Sequence, residues 1–179
     1  RIKQEFQIPV RWRAYPLRPD IAPEGVRMEQ LFAKKPEELE RMKRIFRKKA
    51  RQMDLPLGDM EMMYNSRPAQ ELRLWAEACG VGDAFSFAVY KAYFADGRNI
   101  ARTDVLAGIS QSLGLCQETA KAVLEEGRCR EAVTADWTCA EKKEIPIIPA
   151  LMIGESKLAG VHSYEKMAAF LEANGITRS

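Results

Sequence analysis

The apolar residues of this chain change period twice, and any fold must accommodate both changes. Near the start, Phe6, Ile8, Val10 and Trp12 alternate with other residues at period two, which predicts a half-buried strand over residues 5–13. Pro9 cannot donate to a ladder, so that strand belongs at a sheet edge. A loop with Pro16, Pro19, Pro23 and Gly25 follows. From there to residue 143 the spacing is helical. Met28, Leu31 and Phe32 form a short face. Pro36 opens a helix with the stripe Leu39, Met42, Ile45 and Phe46, stopped by Leu55-Pro56-Leu57-Gly58. Ser66 is the expected cap of the next helix, whose face is Leu72, Trp75, Ala76 and Cys79. Further helices carry Phe85, Val89 and Ala92, then Leu106, Ile109 and Leu113 with Thr103 as expected cap, then residues 117–126 and 129–143. The last stretch reverts to short strands. Ile147 to Ile153 is an apolar run, Gly154-Glu155-Ser156 a turn, and Lys157-Leu158-Ala159 a return strand. Ser163 then caps a final helix closed by Asn174-Gly175.

A helical block of this length cannot be an ordinary crossover between strands. It reads as a helical domain, residues 26–143, inserted into an α/β core made of residues 1–25 and 144–179. Hydrophobic residues make up 46% of the 179, enough for a core, so whole-chain disorder is excluded. The longest nearly apolar run, Ile145 to Gly154, is half the length of a membrane helix. No signal peptide and no membrane partner are expected. Residues 1–51 hold 15 basic and 7 acidic side chains against an overall charge of +3. Glu37, Glu38 and Glu40 precede Arg41, Lys43, Arg44, Arg47, Lys48, Lys49 and Arg51, the order that complements a helix macrodipole, so no nucleic-acid partner is expected.

The four cysteines, Cys79, Cys116, Cys129 and Cys139, fall in no metal-ligand or Cys-x-x-Cys spacing, and His162 is the single histidine. No metal site is expected. A reducing compartment, the cytoplasm, is the default for such a chain. Cys79 lies on the apolar stripe and is expected in the core.

Several stretches resemble the DsbA-like thioredoxin superfamily, in its FrnE-type dithiol oxidoreductase branch near the 2-hydroxychromene-2-carboxylate isomerases. They are Trp12-Arg13-Ala14-Tyr15-Pro16-Leu17-Arg18-Pro19-Asp20, Asn65-Ser66-Arg67-Pro68-Ala69, and Ala92 through Ile100 with Gly114-Leu115. Near the end, Ile148-Pro149-Ala150 and Gly160-Val161-His162-Ser163-Tyr164 complete the set. The resemblance implies a thioredoxin-like core with a large inserted α-helical domain. It makes Pro149 a cis-proline facing a redox site, exposing the backbone of Ile148 to an extended substrate. Ile148 and Pro149 are thus the candidate substrate-binding residues. Asn65 matches a position that shapes the site in the isomerase branch.

The family's Cys-x-x-Cys, at the N-terminus of its first helix, matches none of the four cysteines here. The catalytic residues are therefore expected upstream of Arg1, with about one strand-plus-helix unit. The implied function is thiol–disulfide exchange by a bacterial cytosolic protein without a resident cofactor, with a protein or small-molecule thiol or disulfide as substrate and a homodimer as one possible assembly. Two alternatives stand beside it: a glutathione-dependent isomerase, and a non-catalytic thioredoxin-like binding module.

Overall fold

The computed structural model describes residues 2–178; Arg1 and Ser179 lie outside the described residues. It contains helices α1 (Ile2–Phe6), α2 (Met28–Leu31), α3 (Pro36–Gln52), α4 (Arg67–Ala78), α5 (Gly82–Phe94), α6 (Thr103–Ser112), α7 (Gln117–Glu125), α8 (Arg130–Lys142) and α9 (Tyr164–Ala173). The strands are β1 (Val26–Arg27), β2 (Met62–Met63), β3 (Ala150–Ile153) and β4 (Ser156–Ala159). β1 pairs with β2 and β3 with β4, both antiparallel.

The chain divides into two compact units, Arg1–Tyr15 with Ala135–Ser179, and Pro16–Thr134. The second boundary falls inside α8, so that helix begins in one unit and ends in the other. These limits differ from the 25/26 and 143/144 boundaries read from the sequence.

The larger unit is held by an apolar cluster in which Leu72, Phe85, Leu106, Ala107 and Ala120 are fully buried. They come from α4, α5, α6 and α7, one stripe from each helix, as the i, i+3, i+4 spacing requires. Pro36 and Pro68 stand in the first turns of α3 and α4, where a missing N–H costs nothing. The caps differ from expectation. Ser66 accepts no capping hydrogen bond. Instead the Asn65 side chain reaches forward, its Oδ1 accepting from Arg67 N at 2.9 Å, while its Nδ2 donates to Ile21 O at 2.9 Å. Thr103 lies inside α6, whose cap is Arg102. Just upstream, Asn99 Oδ1 accepts from Ala101 N at 2.8 Å and Asn99 Nδ2 donates to Pro23 O at 2.9 Å. Two asparagines thus make local turns and pin the 21–23 loop at once. Gly25 closes that loop with φ +83°, and a Cβ there would stand 2.3 Å from the Tyr64 ring.

The smaller unit packs Phe6 against Ala168 and Leu171 of α9, with Ile8, Leu151 and Ile153 at the margin. Ser163 caps α9 as expected, accepting from Lys166 N at 3.4 Å. The predicted strand over 5–13 is not formed: α1 occupies residues 2–6, and the chain from Gln7 to Leu17 is irregular. Gln7 adopts φ +45°, which breaks the extended run after Phe6. Pro9 removes a ladder donor, and among the described residues no strand edge pairs with this segment. The alternation survives only in part, with Phe6 buried and Trp12 exposed.

Phe85→Ala should cost about 3–5 kcal/mol, because a fully buried ring leaves a cavity that four helices cannot close. Urea unfolding followed by circular dichroism measures it. A loss below about 1 kcal/mol would mean that this cluster is not the core of the unit.

Candidate functional site

The hairpin positions the candidate residues. Its register pairs Ala150 with Ala159, Leu151 with Leu158, Met152 with Lys157 and Ile153 with Ser156, around a two-residue turn at Gly154-Glu155. One step beyond the hairpin, Gly160 N donates to Pro149 O at 2.7 Å. Pro149 has no N–H to return, so the ladder stops there. The Ile148–Pro149 peptide bond is cis. Around it the surface is apolar and open: Ile147 is 55% exposed, Ile148 39% and Val161 77%. Ile147, Ile148 and Val161 therefore flank the paired Pro149–Gly160 step.

The segment before this loop is tied down from two sides. Asp136, buried on α8, accepts from Arg13 Nη1 at 2.6 Å through Oδ1 and from Ala14 N at 2.9 Å through Oδ2. The Asp136 carboxylate raises the pKa of the Arg13 guanidinium by hydrogen bonding. The Tyr15 hydroxyl donates to Ile145 O at 3.2 Å, at the start of the run leading to Pro149. On the hairpin, Lys143 pairs with Glu155 and holds that exposed carboxyl below its usual range, while Lys157 Nζ donates to Lys143 O. His162 places Nε2 2.8 Å from Ala159 O, so one ring nitrogen is engaged by backbone. Asp136 and Tyr15 escaped the sequence reading, since an acid in a helix reads as exposed and a tyrosine between prolines reads as loop.

Asn65 is placed at the start of α4, where both ends of its amide are used structurally. All four cysteines are free thiols. Cys79 is exposed, against the expectation of a core residue; it is the C-cap of α4, its N–H still donating to Trp75 O at 3.1 Å. Cys116 is the exposed N-cap of α7 and lies 3.5 Å from Glu118 Oε2. Cys129 packs against the helical cluster, and burial, with the Glu71 charge added, pushes its thiol pKa up. Among the described residues no group of His, Cys, Asp and Glu could hold a metal ion, and no helix is long and apolar enough to cross a membrane.

The sequence profile of the DSBA-like thioredoxin domain matches residues 1–172. Among solved structures, a "putative protein disulfide isomerase" from Nitrosomonas europaea superposes with a TM-score of 0.64 at 16% identity, covering 77% of this chain and 74% of that one. The cytosolic disulfide reductase DsbM of Pseudomonas aeruginosa, solved with GSH, superposes with a TM-score of 0.52 at 22% identity, covering 67% and 68%. A second structure of the Pseudomonas aeruginosa DsbM superposes with a TM-score of 0.51 at 24% identity, covering 67% and 68%. No curated protein sequence matches the chain.

Two outcomes test this geometry. Asp136→Ala should destabilise by about 1.5–3 kcal/mol, the range for hydrogen bonds to a charged group, and should speed proteolysis within residues 7–18. Unchanged cleavage there would mean that Asp136 does not fasten the segment. In a thiol titration at pH 8, Cys79 and Cys116 should react first and Cys129 last, because a raised pKa leaves less thiolate at that pH. Mass mapping of the labelled peptides gives the order, and early labelling of Cys129 would contradict it.

Proposed function

Since this chain belongs to the DSBA-like thioredoxin family, we propose that it is a cytosolic thiol–disulfide oxidoreductase whose Ile148–Pro149 segment receives the substrate chain. The observation that carries this reading is the open apolar surface of Ile147, Ile148 and Val161 beside Pro149, in a chain of that family. An extended substrate can pair with the backbone of Ile148 and lay an apolar side chain on Val161. The cytosolic setting and a glutathione partner are supported by DsbM, which is a cytosolic reductase solved with GSH.

The reaction is an exchange. A thiolate of the protein attacks one sulfur of the substrate disulfide, the substrate S–S bond breaks, and the other substrate sulfur leaves as a thiolate. A second thiol of the protein, deprotonated, attacks the mixed disulfide and releases the reduced substrate. The protein is left with a disulfide, having passed on two electrons. Two glutathione thiols restore the dithiol and leave as glutathione disulfide. The four cysteines of this sequence are not in Cys-x-x-Cys spacing, so this reading assigns the reacting pair to none of them.

Ile148→Asp should raise KM for a peptide disulfide with apolar flanks about tenfold, the value of roughly one half-buried aliphatic side chain, with kcat nearly unchanged. The assay is disulfide reduction with glutathione as electron donor, on protein whose intact mass shows which residues it carries. An unaltered KM would remove Ile148 from substrate binding. No exchange by protein that carries the dithiol would leave the binding-module reading in its place.

A further inference from the structure

α5 is apolar on two sides, and only one of them is covered. Phe85, Val89 and Ala92 recur at i, i+4 and i+7 and are buried in the helical cluster. On the opposite side Asp83, Phe87, Tyr90 and Phe94 recur at spacings of four, three and four, which sets them in one seam along the helix. Phe87 is 62% exposed and Tyr90 58%. A helix that is apolar all round belongs in a buried setting, and the 13 residues of α5 are too few to cross a bilayer.

The exposed rings are already fixed in place. Tyr90 packs on Phe94 with ring centroids 6.4 Å apart, Phe94 on Tyr93 at 4.6 Å, and Tyr93 on Tyr64 at 6.1 Å. The Tyr93 hydroxyl donates to Met62 O at 3.1 Å, and Gly58 N donates to Phe94 O at 2.7 Å. Rings held this way lose little entropy on docking, as the aromatic anchors of protein interfaces do. Phe87, one turn before Tyr90, has no ring partner among the described residues.

Charge decides between occupants. α5 carries one acid, Asp83, in its first turn and one base, Lys91, in its last. A lipid surface or a polyanion calls for several cations beside the rings, and this helix has a single lysine. The complementary surface has uncharged rings at its middle, a base facing Asp83 and an acid facing Lys91. A second α5 laid antiparallel on the first meets all three conditions. Phe87 of each copy then lies on Tyr90 of the other, and Lys91 of each reaches the Asp83 end of the other. The two helix dipoles oppose each other as well. A parallel pairing would set Asp83 against Asp83 and Lys91 against Lys91. The antiparallel crossing is two-fold symmetric, so it closes at two copies.

We propose that the Phe87–Tyr90–Phe94 face of α5 is a homodimer interface, in which two α5 helices cross antiparallel about an axis between Phe87 and Tyr90. The exposed parts of the Phe87 and Tyr90 rings amount to roughly 250 Å² a copy. That is about a third of the roughly 800 Å² per partner in a standard interface, so the dimer is a weak one, with a Kd on the order of 10–100 µM.

Sedimentation velocity on the full chain, from about 2 to about 200 µM, tests this. The weight-average mass should rise from one chain toward two across that range. Phe87→Glu puts a charge into the seam of both copies and should raise Kd about tenfold or more, with the circular dichroism spectrum retained because the position is exposed. Lys91→Glu sets acid against Asp83 and should raise Kd about fivefold at low salt and less at high salt. Ile45→Ser, an exposed aliphatic residue on α3, should leave the mass unchanged. A single-chain mass at the highest concentration overturns the proposal, as does a dimer indifferent to Phe87→Glu or to Lys91→Glu, or one that Ile45→Ser dissolves. So does a monomer whose disulfide exchange is slowed by Phe87→Glu, which would give the face to substrate.

Discussion

One buried carboxylate does the work that a sheet would otherwise do for the start of this chain. Residues 7–15 have the alternation of a strand but no ladder, and the N–H and C=O groups of such a segment still need partners. Asp136 supplies two acceptors at one point, taking the Arg13 guanidinium and the Ala14 N–H. Burying a carboxylate is costly unless it is hydrogen-bonded by charged or well-aligned donors, and both kinds are present here. The hold then passes along the chain: Tyr15 follows directly, and its hydroxyl meets the Ile145 carbonyl where the run to Pro149 begins. The stretch Trp12-Arg13-Ala14-Tyr15, which carried part of the family resemblance, thus has a local physical role in fixing the approach to the site.

The helices were legible because two independent signals agreed. Apolar spacing set the faces, and Pro36, Pro68 and Gly114 set ends, so α3 through α9 fall close to where the sequence puts them. The errors lie where a local rule met a distant partner. Ser66 and Thr103 have the chemistry of caps, yet asparagines nearby make the turns. Asn65 and Asn99 also bind carbonyls 44 and 76 residues away, at Ile21 and Pro23. Nothing in a local window reports that second bond. The strand over 5–13 failed for the complementary reason: alternation describes one face of a strand but does not provide the neighbour that makes it one.

The site was legible unevenly. The hairpin follows from the pattern of Ile147 to Ala159, though its turn is the two residues Gly154-Glu155, and Ser156, expected in the turn, pairs with Ile153 as the first residue of β4. The roles assigned to Ile148 and Pro149 came from resemblance, since a proline in an apolar run says only that the ladder is interrupted. Asp136 was not legible, because burial of a single helical acid depends on what the rest of the chain brings to it. Cys79 shows the same dependence in reverse. Its spacing from Leu72 is right for the core, but it is the C-cap of α4 and its side chain is left exposed there.

The thiols bear on where the chemistry can reside. An attacking cysteine needs its thiolate favoured by nearby positive charge or a helix terminus. Cys129 has the opposite environment, with burial and the Glu71 carboxylate both favouring the protonated thiol. Cys116 has a helix terminus, but its sulfur is engaged with the Glu118 carboxylate rather than with a cation. Beside Pro149 the ladder stops for want of an N–H, and the flanking Ile147, Ile148 and Val161 are apolar and open.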